Sequence, residues 1–164
     1  MTHYDVDHVG AAANLAVDAP VYVGAADADY VTGAARPPLG APKPLIQILG
    51  GLLVEDLPAD RVRPVADGDA VGGFTAIAAP GHTPGHTVYV HGDRGAAFLG
   101  DAVVERGGSL RPSPWLLSYD TDAVRESVRA VAERAGAFDV AALGHGTPFG
   151  RNGSDRLREL AESL

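Results

Sequence analysis

The sequence contains no cysteine among its 164 residues, and this absence removes several kinds of chemistry. Without thiols the chain forms no disulfide, has no thiolate nucleophile and binds no metal through sulfur. Any metal site must therefore use imidazole and carboxylate side chains. The chain offers 6 His and 21 Asp plus Glu for that purpose.

Long apolar runs and clusters of basic residues are also missing. Charged residues, Gly or Pro interrupt each apolar stretch before the roughly 20 residues that a membrane-spanning helix needs, and the N-terminus lacks the features of a secretory signal. We therefore expect a cytoplasmic protein without a membrane partner. The formal net charge of −8 repels nucleic-acid phosphates, so we expect no nucleic-acid partner and favour a small-molecule substrate.

Local patterns predict a mixture of helices and strands, which favours one α/β (α+β) domain over residues 1–164. The predicted strands cover residues 20–24, 74–79, 87–91, 96–100 and 138–143, and the middle three form an antiparallel meander. Residues 36–44 are predicted as a loop by their Pro and Gly content. The predicted helices cover residues 7–17, residues 45–53, a segment from a cap at Asp120, Thr121 or Asp122 to Ala135, and a segment from a cap at Ser154 to Leu164.

Histidine and aspartate concentrate where predicted elements begin or end. Four potential metal ligands fall within six residues at the loop that enters the first helix: His3, Asp5, Asp7 and His8. Three more follow a predicted strand or flank glycine, where the backbone can expose a side chain. These are His82 in Gly-His-Thr-Pro-Gly-His, Asp101 in Leu-Gly-Asp and His145 in Gly-His-Gly.

In this order the motifs resemble those of the metallo-β-lactamase superfamily, whose pattern is T-H-x-H-x-D-H-x-G, G-H-T-P-G-H, G-D and G-H-G. Residues 2–10, 81–86, 100–101 and 144–146 match it, and the likeness extends over essentially the whole chain. Each motif alone is a weak signal, whereas four in order are specific. The resemblance implies a metallo-β-lactamase-like αββα sandwich.

The resemblance also implies a site for two divalent metal ions. By it, one ion is held by His3, Asp5 and His82, the other by Asp7, His8 and His145, and Asp101 bridges the two. These ligands suit zinc, with iron or manganese as alternatives. Paired ions activate a water molecule and polarise a carbonyl oxygen, so Asp101 and Asp7 are the predicted catalytic residues. Asp7 has two open roles, as a metal ligand or as a proton shuttle to the leaving group.

Two features depart from the family pattern. The family's second histidine is Asp5 here, and a harder oxygen ligand shifts the preference from zinc toward iron or manganese. In addition, only Met1 and Thr2 precede the first motif, so we expect the N-terminal sheet to be partly missing and the metal site of His3 to be the weaker one, because termini fray. The apolar faces exposed in this way imply either that Met1 is not the true start or that a homo-oligomer covers them.

Four further residues near the motifs are candidates for supporting roles. We expect His86 to hydrogen-bond beside the ligands rather than to bind metal. Arg111, Trp115 and Tyr119, in the segment 107–119, are of types that can line a substrate pocket. The alternative, equally open, is a loop that packs Trp115 into the core.

These observations favour a hydrolase that cleaves a small ester, thioester, lactone or amide. A glutathione thioester is disfavoured because only about one predicted helix follows His145, and a nuclease is disfavoured by the missing basic face. Two alternatives stay open. One is an iron-dependent oxidoreductase similar to sulfur dioxygenases, and the other is a truncated, non-catalytic remnant.

Overall fold

A computed structural model describes residues 1–10, 12, 19–37 and 55–164 of the chain. The strands are β1 (Val21–Gly24), β2 (Val62–Val65), β3 (Ala70–Val71), β4 (Phe74–Ala78), β5 (Thr87–His91), β6 (Ala96–Gly100), β7 (Val103–Arg106), β8 (Ser109–Pro112) and β9 (Val140–Leu143). The α-helices are α1 (Val6–Val9), α2 (Ala28–Val31), α3 (Thr121–Arg134) and α4 (Gly153–Glu162). Short 3₁₀ turns lie at Ala25–Asp27, Gly92–Arg94 and Trp115–Leu117.

The central sheet has five strands in the order β3-β4-β5-β6-β9. Strands β4, β5 and β6 are antiparallel neighbours, which confirms the predicted meander. Strand β9 then pairs with β6 in parallel, and Gly100 lies opposite Leu143. Parallel strands require a crossover connection, which passes here through the hairpin β7-β8 and helix α3. As a result β4, β6 and β9 run in one direction and end at the same edge of the sheet.

Among the residues that the structure describes, three groups of buried apolar side chains lie between four layers. The first lies between helices α3 and α4 and the central sheet, and includes Leu99 and Val128. The second joins Val65 of β2 to Ala76 and Tyr89 on the other face of that sheet. The third packs the sheet β1-β2 against α1 and α2. The layers therefore follow the predicted αββα order.

Helix α3 forms because its apolar residues recur at helical spacing and its first turn is capped. Val124, Val128 and Val131 lie on one buried face. The carboxylate of Asp120 accepts hydrogen bonds from two backbone N–H groups of the first turn, at 3.0 and 2.9 Å. Asp120 is thus the cap among the three predicted alternatives, a contribution of about 1 kcal/mol.

The prediction that Ser154 caps the last helix is wrong. Helix α4 begins one residue earlier, at Gly153, after Asn152 with a φ of 57°, and Ser154 is buried within its first turn. The N–H groups of Gly153 and Ser154 donate to the carbonyl oxygens of Asp139 and Phe138. Backbone that precedes the helix therefore satisfies the donors that a side-chain cap would otherwise satisfy.

The other predicted ends of helices and strands agree in part with the structure. Strand β1 matches the predicted strand at 20–24, and β9 begins at Val140, two residues after the predicted start. Of the predicted helix 7–17 the structure shows α1, and residues 11 and 13–18 lie outside the described residues. The predicted helix 45–53 and most of the loop 36–44 lie outside them as well. In the described ranges, the helices lack the length and apolar character needed to cross a membrane.

The N-terminal residues are held between the two sheets. The terminal ammonium donates to the carbonyl oxygen of Tyr22 at 2.6 Å, and the N–H of Thr87 donates to the carbonyl oxygen of Thr2 at 2.8 Å. His3 has 0% and Asp5 has 5% of its surface exposed. The expectation that these residues lie on a fraying terminus is therefore wrong, because hydrogen bonds to β1 and β5 fix the segment.

An apolar groove of about 450 Å³ lies beside this segment. Its lining includes Val21, Tyr22, Phe74, Tyr89 and Phe98. The groove agrees with the expected exposure of apolar surface near the N-terminus. The homo-oligomer that would cover it stays a prediction.

Gly24 allows β1 to approach the loop that follows β4. A Cβ atom at this position would collide with the carbonyl oxygen of Gly85 and the hydroxyl of Thr87. We predict that Gly24→Ala lowers the free energy of unfolding by about 1–3 kcal/mol, the usual cost of overpacking. The control Gly92→Ala, where an added Cβ meets nothing within 4 Å, should change it by less than about 0.5 kcal/mol. Urea unfolding measures both values, and equal losses would contradict the prediction.

Candidate metal centre

The candidate ligands converge at the edge of the central sheet where three strands end. The loop after β4 carries His82, Asp101 follows β6, and His145 follows β9. The N-terminal segment with His3 to His8 runs beside this edge, because its backbone is bonded to β1 and β5. The fold thus brings together side chains that are far apart in sequence.

A buried cluster forms the inner part of the site. Candidate ligand atoms of His3, His82 and Asp101 all lie within 4.8 Å of one another. Asp5 joins them, because its Oδ2 lies 3.0 Å from Nε2 of His82 and 3.5 Å from Nε2 of His3. We call these four residues the inner cluster.

A second cluster lies toward solvent. Candidate ligand atoms of Asp7, His8 and His145 also fall within 4.8 Å of one another. Oδ2 of Asp7 is 3.0 Å from Nε2 of His145, and these side chains are 51% and 52% exposed. We call these three residues the outer cluster, and solutes can reach it.

Asp101 contacts both clusters. Its Oδ1 lies 3.5 Å from Nε2 of His8, and its Oδ2 lies 3.6 Å from Nε2 of His82 and 3.3 Å from Nε2 of His145. One carboxylate therefore faces imidazoles of the inner and of the outer cluster. This is the position that a bridging ligand requires.

The spacing and the chemistry of these atoms fit divalent cations. Most of the nitrogen–oxygen distances exceed the range of an ordinary hydrogen bond. They are close to the separation of about 3.4 Å between two ligands bound at roughly 2.1 Å to one tetrahedral ion. Nε2 of His3 and Oδ1 of Asp101 are buried and have no hydrogen-bond partner among the described residues. Buried polar atoms are nearly always paired, and a cation would satisfy both.

Hydroxyl groups orient two of the imidazoles. Nδ1 of His3 lies 3.0 Å from Oγ1 of Thr2, and Nδ1 of His82 lies 2.9 Å from Oγ of Ser113. Each ring therefore turns its Nε2 toward the other candidate ligands, as outer hydrogen bonds do in metal sites. Ser113 was not among the residues predicted from the sequence, because nothing in its local pattern indicates contact with a residue 31 positions away.

His86 supports Asp101 from outside the cluster. The N–H of Asp101 donates to Nε2 of His86 at 3.1 Å. His86 is buried, and it belongs to neither group of candidate ligands. The expected hydrogen-bonding role of His86 agrees with this geometry.

The pKa values of His3 and His8 shift in opposite directions. Burial lowers the pKa of His3 to about 4, although Asp5 opposes the shift, so His3 is neutral at pH 7 and can bind a metal. Burial also lowers the pKa of His8, but its interaction with Asp101 and the charge of Asp7 outweigh that effect and raise it. Metal binding at His8 must therefore displace a proton more often than metal binding at His3.

The segment 107–119 borders the inner cluster at Ser113 and Tyr119. Ser113 contacts His82 as described, and the N–H of Tyr119 donates to the carbonyl oxygen of Gly81 at 2.9 Å. Trp115 between them is 67% exposed, so the alternative that packs it into the core is wrong. The substrate-lining role of this segment stays a prediction.

Comparisons with known proteins point to one family. The sequence model of the metallo-beta-lactamase superfamily matches residues 1–145. The chain is 31% identical to the probable metallo-hydrolase YflN of Bacillus subtilis (strain 168), in a match that covers 100% of this chain and 70% of YflN. It resembles the crystal structure of TTHA1623 in a di-iron-bound form, with a TM-score of 0.71, 29% identity, and coverage of 95% and 73% of the two chains. An archaeal metallo-beta-lactamase superfamily protein, ST1585 of Sulfolobus tokodaii, shares the fold at 22% identity and a TM-score of 0.69, over 99% of this chain and 65% of that protein.

Gly144 has no side chain, and this leaves room for the carboxylate of Asp101. A Cβ atom on Gly144 would collide with the carboxylate of Asp101 and the ring of His8. We predict that Gly144→Ala lowers the affinity for Zn²⁺ roughly tenfold or more, as disruption around metal ligands commonly does. Competition against a chromophoric chelator measures it. The control Gly150→Ala adds a Cβ that meets nothing within 4 Å and should bind like the wild type. Unchanged affinity in both variants would contradict the prediction.

Proposed function

Since the chain belongs to the metallo-beta-lactamase superfamily, we propose that it is a metal-dependent hydrolase of small esters, thioesters, lactones or amides. The observation that carries the proposal is the position of Asp101, whose two oxygens face imidazoles of both clusters. Support also comes from Nε2 of His3 and Oδ1 of Asp101, which are buried without a hydrogen-bond partner among the described residues and would fit a cation. The similarity to a probable metallo-hydrolase points the same way.

The proposed ligands are those of the two clusters. His3, Asp5 and His82 hold one ion, Asp7, His8 and His145 hold the other, and Asp101 lies between them. Two divalent cations bound there would supply Lewis acidity, which activates water and polarises the carbonyl oxygen of a substrate. The three carboxylates leave the loaded site with a formal charge of about +1.

Asp7 is proposed to act at the open side of the site. Its carboxylate is half exposed, and its Oδ2 is 3.0 Å from Nε2 of His145. Asp7 would therefore help to hold a cation, and its exposed carboxylate can carry a proton from water to the leaving group. The buried residues of the inner cluster lack the access to solvent that such proton transfer needs.

A second candidate function is an iron-dependent oxidoreductase on the same fold. The observation in its favour is Asp5, a carboxylate within the inner cluster, because hard oxygen ligands favour iron or manganese over zinc. The similarity to TTHA1623, which was crystallised in a di-iron-bound form, agrees with iron in such a site. Oxygen consumption with a persulfide substrate distinguishes this function from hydrolysis.

The hydrolase proposal predicts metal-dependent turnover that requires Asp101. Protein loaded with Zn²⁺, Mn²⁺ or Fe²⁺ should hydrolyse at least one member of a panel of small esters, acyl thioesters, lactones and amides, and chelation should abolish the activity. Asp101→Asn should lower kcat/KM about 100-fold or more, equivalent to about 2.7 kcal/mol of transition-state stabilisation. The exposed Asp93→Asn serves as the control. Full activity of Asp101→Asn would contradict the proposal.

The identity of the metal should depend on Asp5. Wild-type protein purified without added metal is expected to contain iron or manganese beside zinc, and Asp5→His should raise the zinc fraction because imidazole is the softer ligand. Elemental analysis measures the content, with the exposed Asp29→His as control. Two zinc ions per chain in the wild type would contradict the role assigned to Asp5.

A further inference from the structure

Asp27 is a fully buried carboxylate that belongs to neither cluster. It lies at the end of the 3₁₀ turn Ala25–Asp27, directly after β1. Burying a carboxylate is costly unless donors surround it. Burial raises the pKa of Asp27 to about 6, and the hydrogen bonds that it accepts oppose the shift. The group is therefore ionised at neutral pH.

Three donors surround this carboxylate. Oδ2 of Asp27 accepts from the hydroxyl of Thr83 at 2.7 Å and from the N–H of Tyr4 at 3.3 Å. Oδ1 accepts from the N–H of Gly85 at 2.7 Å. The three donors are separated from Asp27 by 56, 23 and 58 positions in sequence, so their meeting is a product of the tertiary fold.

The donors belong to the two segments that carry His3, Asp5 and His82 of the inner cluster. Tyr4 stands between His3 and Asp5. Thr83 and Gly85 follow His82 in the loop between β4 and β5. A single carboxylate thus joins the N-terminal ligand segment to the loop that presents the buried histidine.

The fit around Asp27 is close. A Cβ atom on Gly85 would collide with the backbone nitrogen and the carboxylate of Asp27. Gly24 lies against the carbonyl oxygen of Gly85 in the same way. Because these glycines let the loop lie directly on the end of β1, a shift of the Asp27 carboxylate must move the backbone on both sides of it.

We propose that Asp27 is a positioning residue for the metal centre, and that it sets the spacing of His3, Asp5 and His82 through the backbone next to them. The inference rests on the proposed function. Among the described residues, the Asp27 carboxylate accepts hydrogen bonds from Tyr4, Thr83 and Gly85, none of which is a candidate ligand, and Asp27 therefore acts through these neighbours. Its role is therefore to hold ligand atoms in place rather than to contact a cation or a substrate.

The chemistry of the contacts makes an amide a poor substitute. A carboxylate offers acceptor oxygens on both sides, whereas the side chain of Asn has one acceptor oxygen and an NH₂ group that donates. In Asp27→Asn this NH₂ group must face either the N–H of Gly85 or the donors Thr83 and Tyr4. At least one buried donor then loses its partner, which is unfavourable.

The test compares Asp27→Asn with the exposed Asp29→Asn, and Thr83→Val with Thr83→Ser. Zn²⁺ affinity is measured by chelator competition, the geometry of the site by the visible spectrum of Co²⁺-loaded protein, and stability by thermal unfolding of metal-free protein. Asp27→Asn should weaken the tighter Zn²⁺ site roughly tenfold or more and alter the Co²⁺ spectrum. Thr83→Val should change both in the same direction, Thr83→Ser should restore them, and Asp29→Asn should match the wild type.

The remaining outcomes overturn the inference. Asp27→Asn with wild-type affinity and spectrum but a lower melting temperature would show a purely structural role. If Asp27→Asn does not fold, equal Zn²⁺ affinity in Thr83→Val and Thr83→Ser has the same meaning. Either result leaves the proposed function standing. Wild-type protein that binds no divalent ion would instead contradict the proposed function, and this inference with it.

Discussion

The parallel hydrogen bonds between β6 and β9 decide where the candidate site lies. Parallel neighbours end at the same edge of a sheet, and Gly100 lies directly opposite Leu143. Asp101 and His145, each just beyond its strand, therefore leave the sheet together. Their Oδ2 and Nε2 atoms are 3.3 Å apart, although the two residues are 44 positions apart in sequence. An antiparallel β9 would send His145 to the opposite edge and leave Asp101 without the outer cluster.

Depth divides the site into two environments. His3 and His82 are buried, whereas Asp7 and His145 are half exposed. Charges interact more strongly in a medium of low dielectric constant, so a cation in the inner cluster would be held by ligands that water cannot replace. The outer cluster meets solvent and substrate. Under the proposed function the residues of the inner cluster would hold a cation. The residues of the outer cluster would exchange water, protons and products with the solvent.

The unusual charge of the inner cluster links metal identity to reaction type. Asp5 contributes a carboxylate where the family pattern has an imidazole, which makes a bound ion more electron-rich and a weaker Lewis acid. Hydrolysis depends on Lewis acidity, whereas oxygen chemistry depends on a redox-active ion. The choice between the two candidate functions thus depends on Asp5, whose Oδ2 lies 3.0 Å from Nε2 of His82.

Much of the fold and the candidate ligands could be predicted from local patterns. Short segments bounded by Gly, Pro or Asp indicated the strands of the meander, helical spacing indicated α3, and four ordered motifs indicated the residues that meet at the site. The cap at Ser154 was wrong because carbonyl oxygens of the preceding chain, at Phe138 and Asp139, satisfy the donors of α4. A sequence pattern does not reveal such partners, because a capping preference describes the side chain alone.

The amino-acid sequence by itself determined the chemistry available to this protein: imidazoles and carboxylates without thiols, grouped at the ends of elements. Only the tertiary structure decided that the N-terminal segment is buried, that Ser113 orients His82, and that Asp27 joins two ligand segments. The physical reason is distance along the chain. Periodicity and capping act over a few residues, whereas the contact of Asp27 with Thr83 spans 56 positions and exists only because two packed sheets bring the end of β1 against the loop after β4.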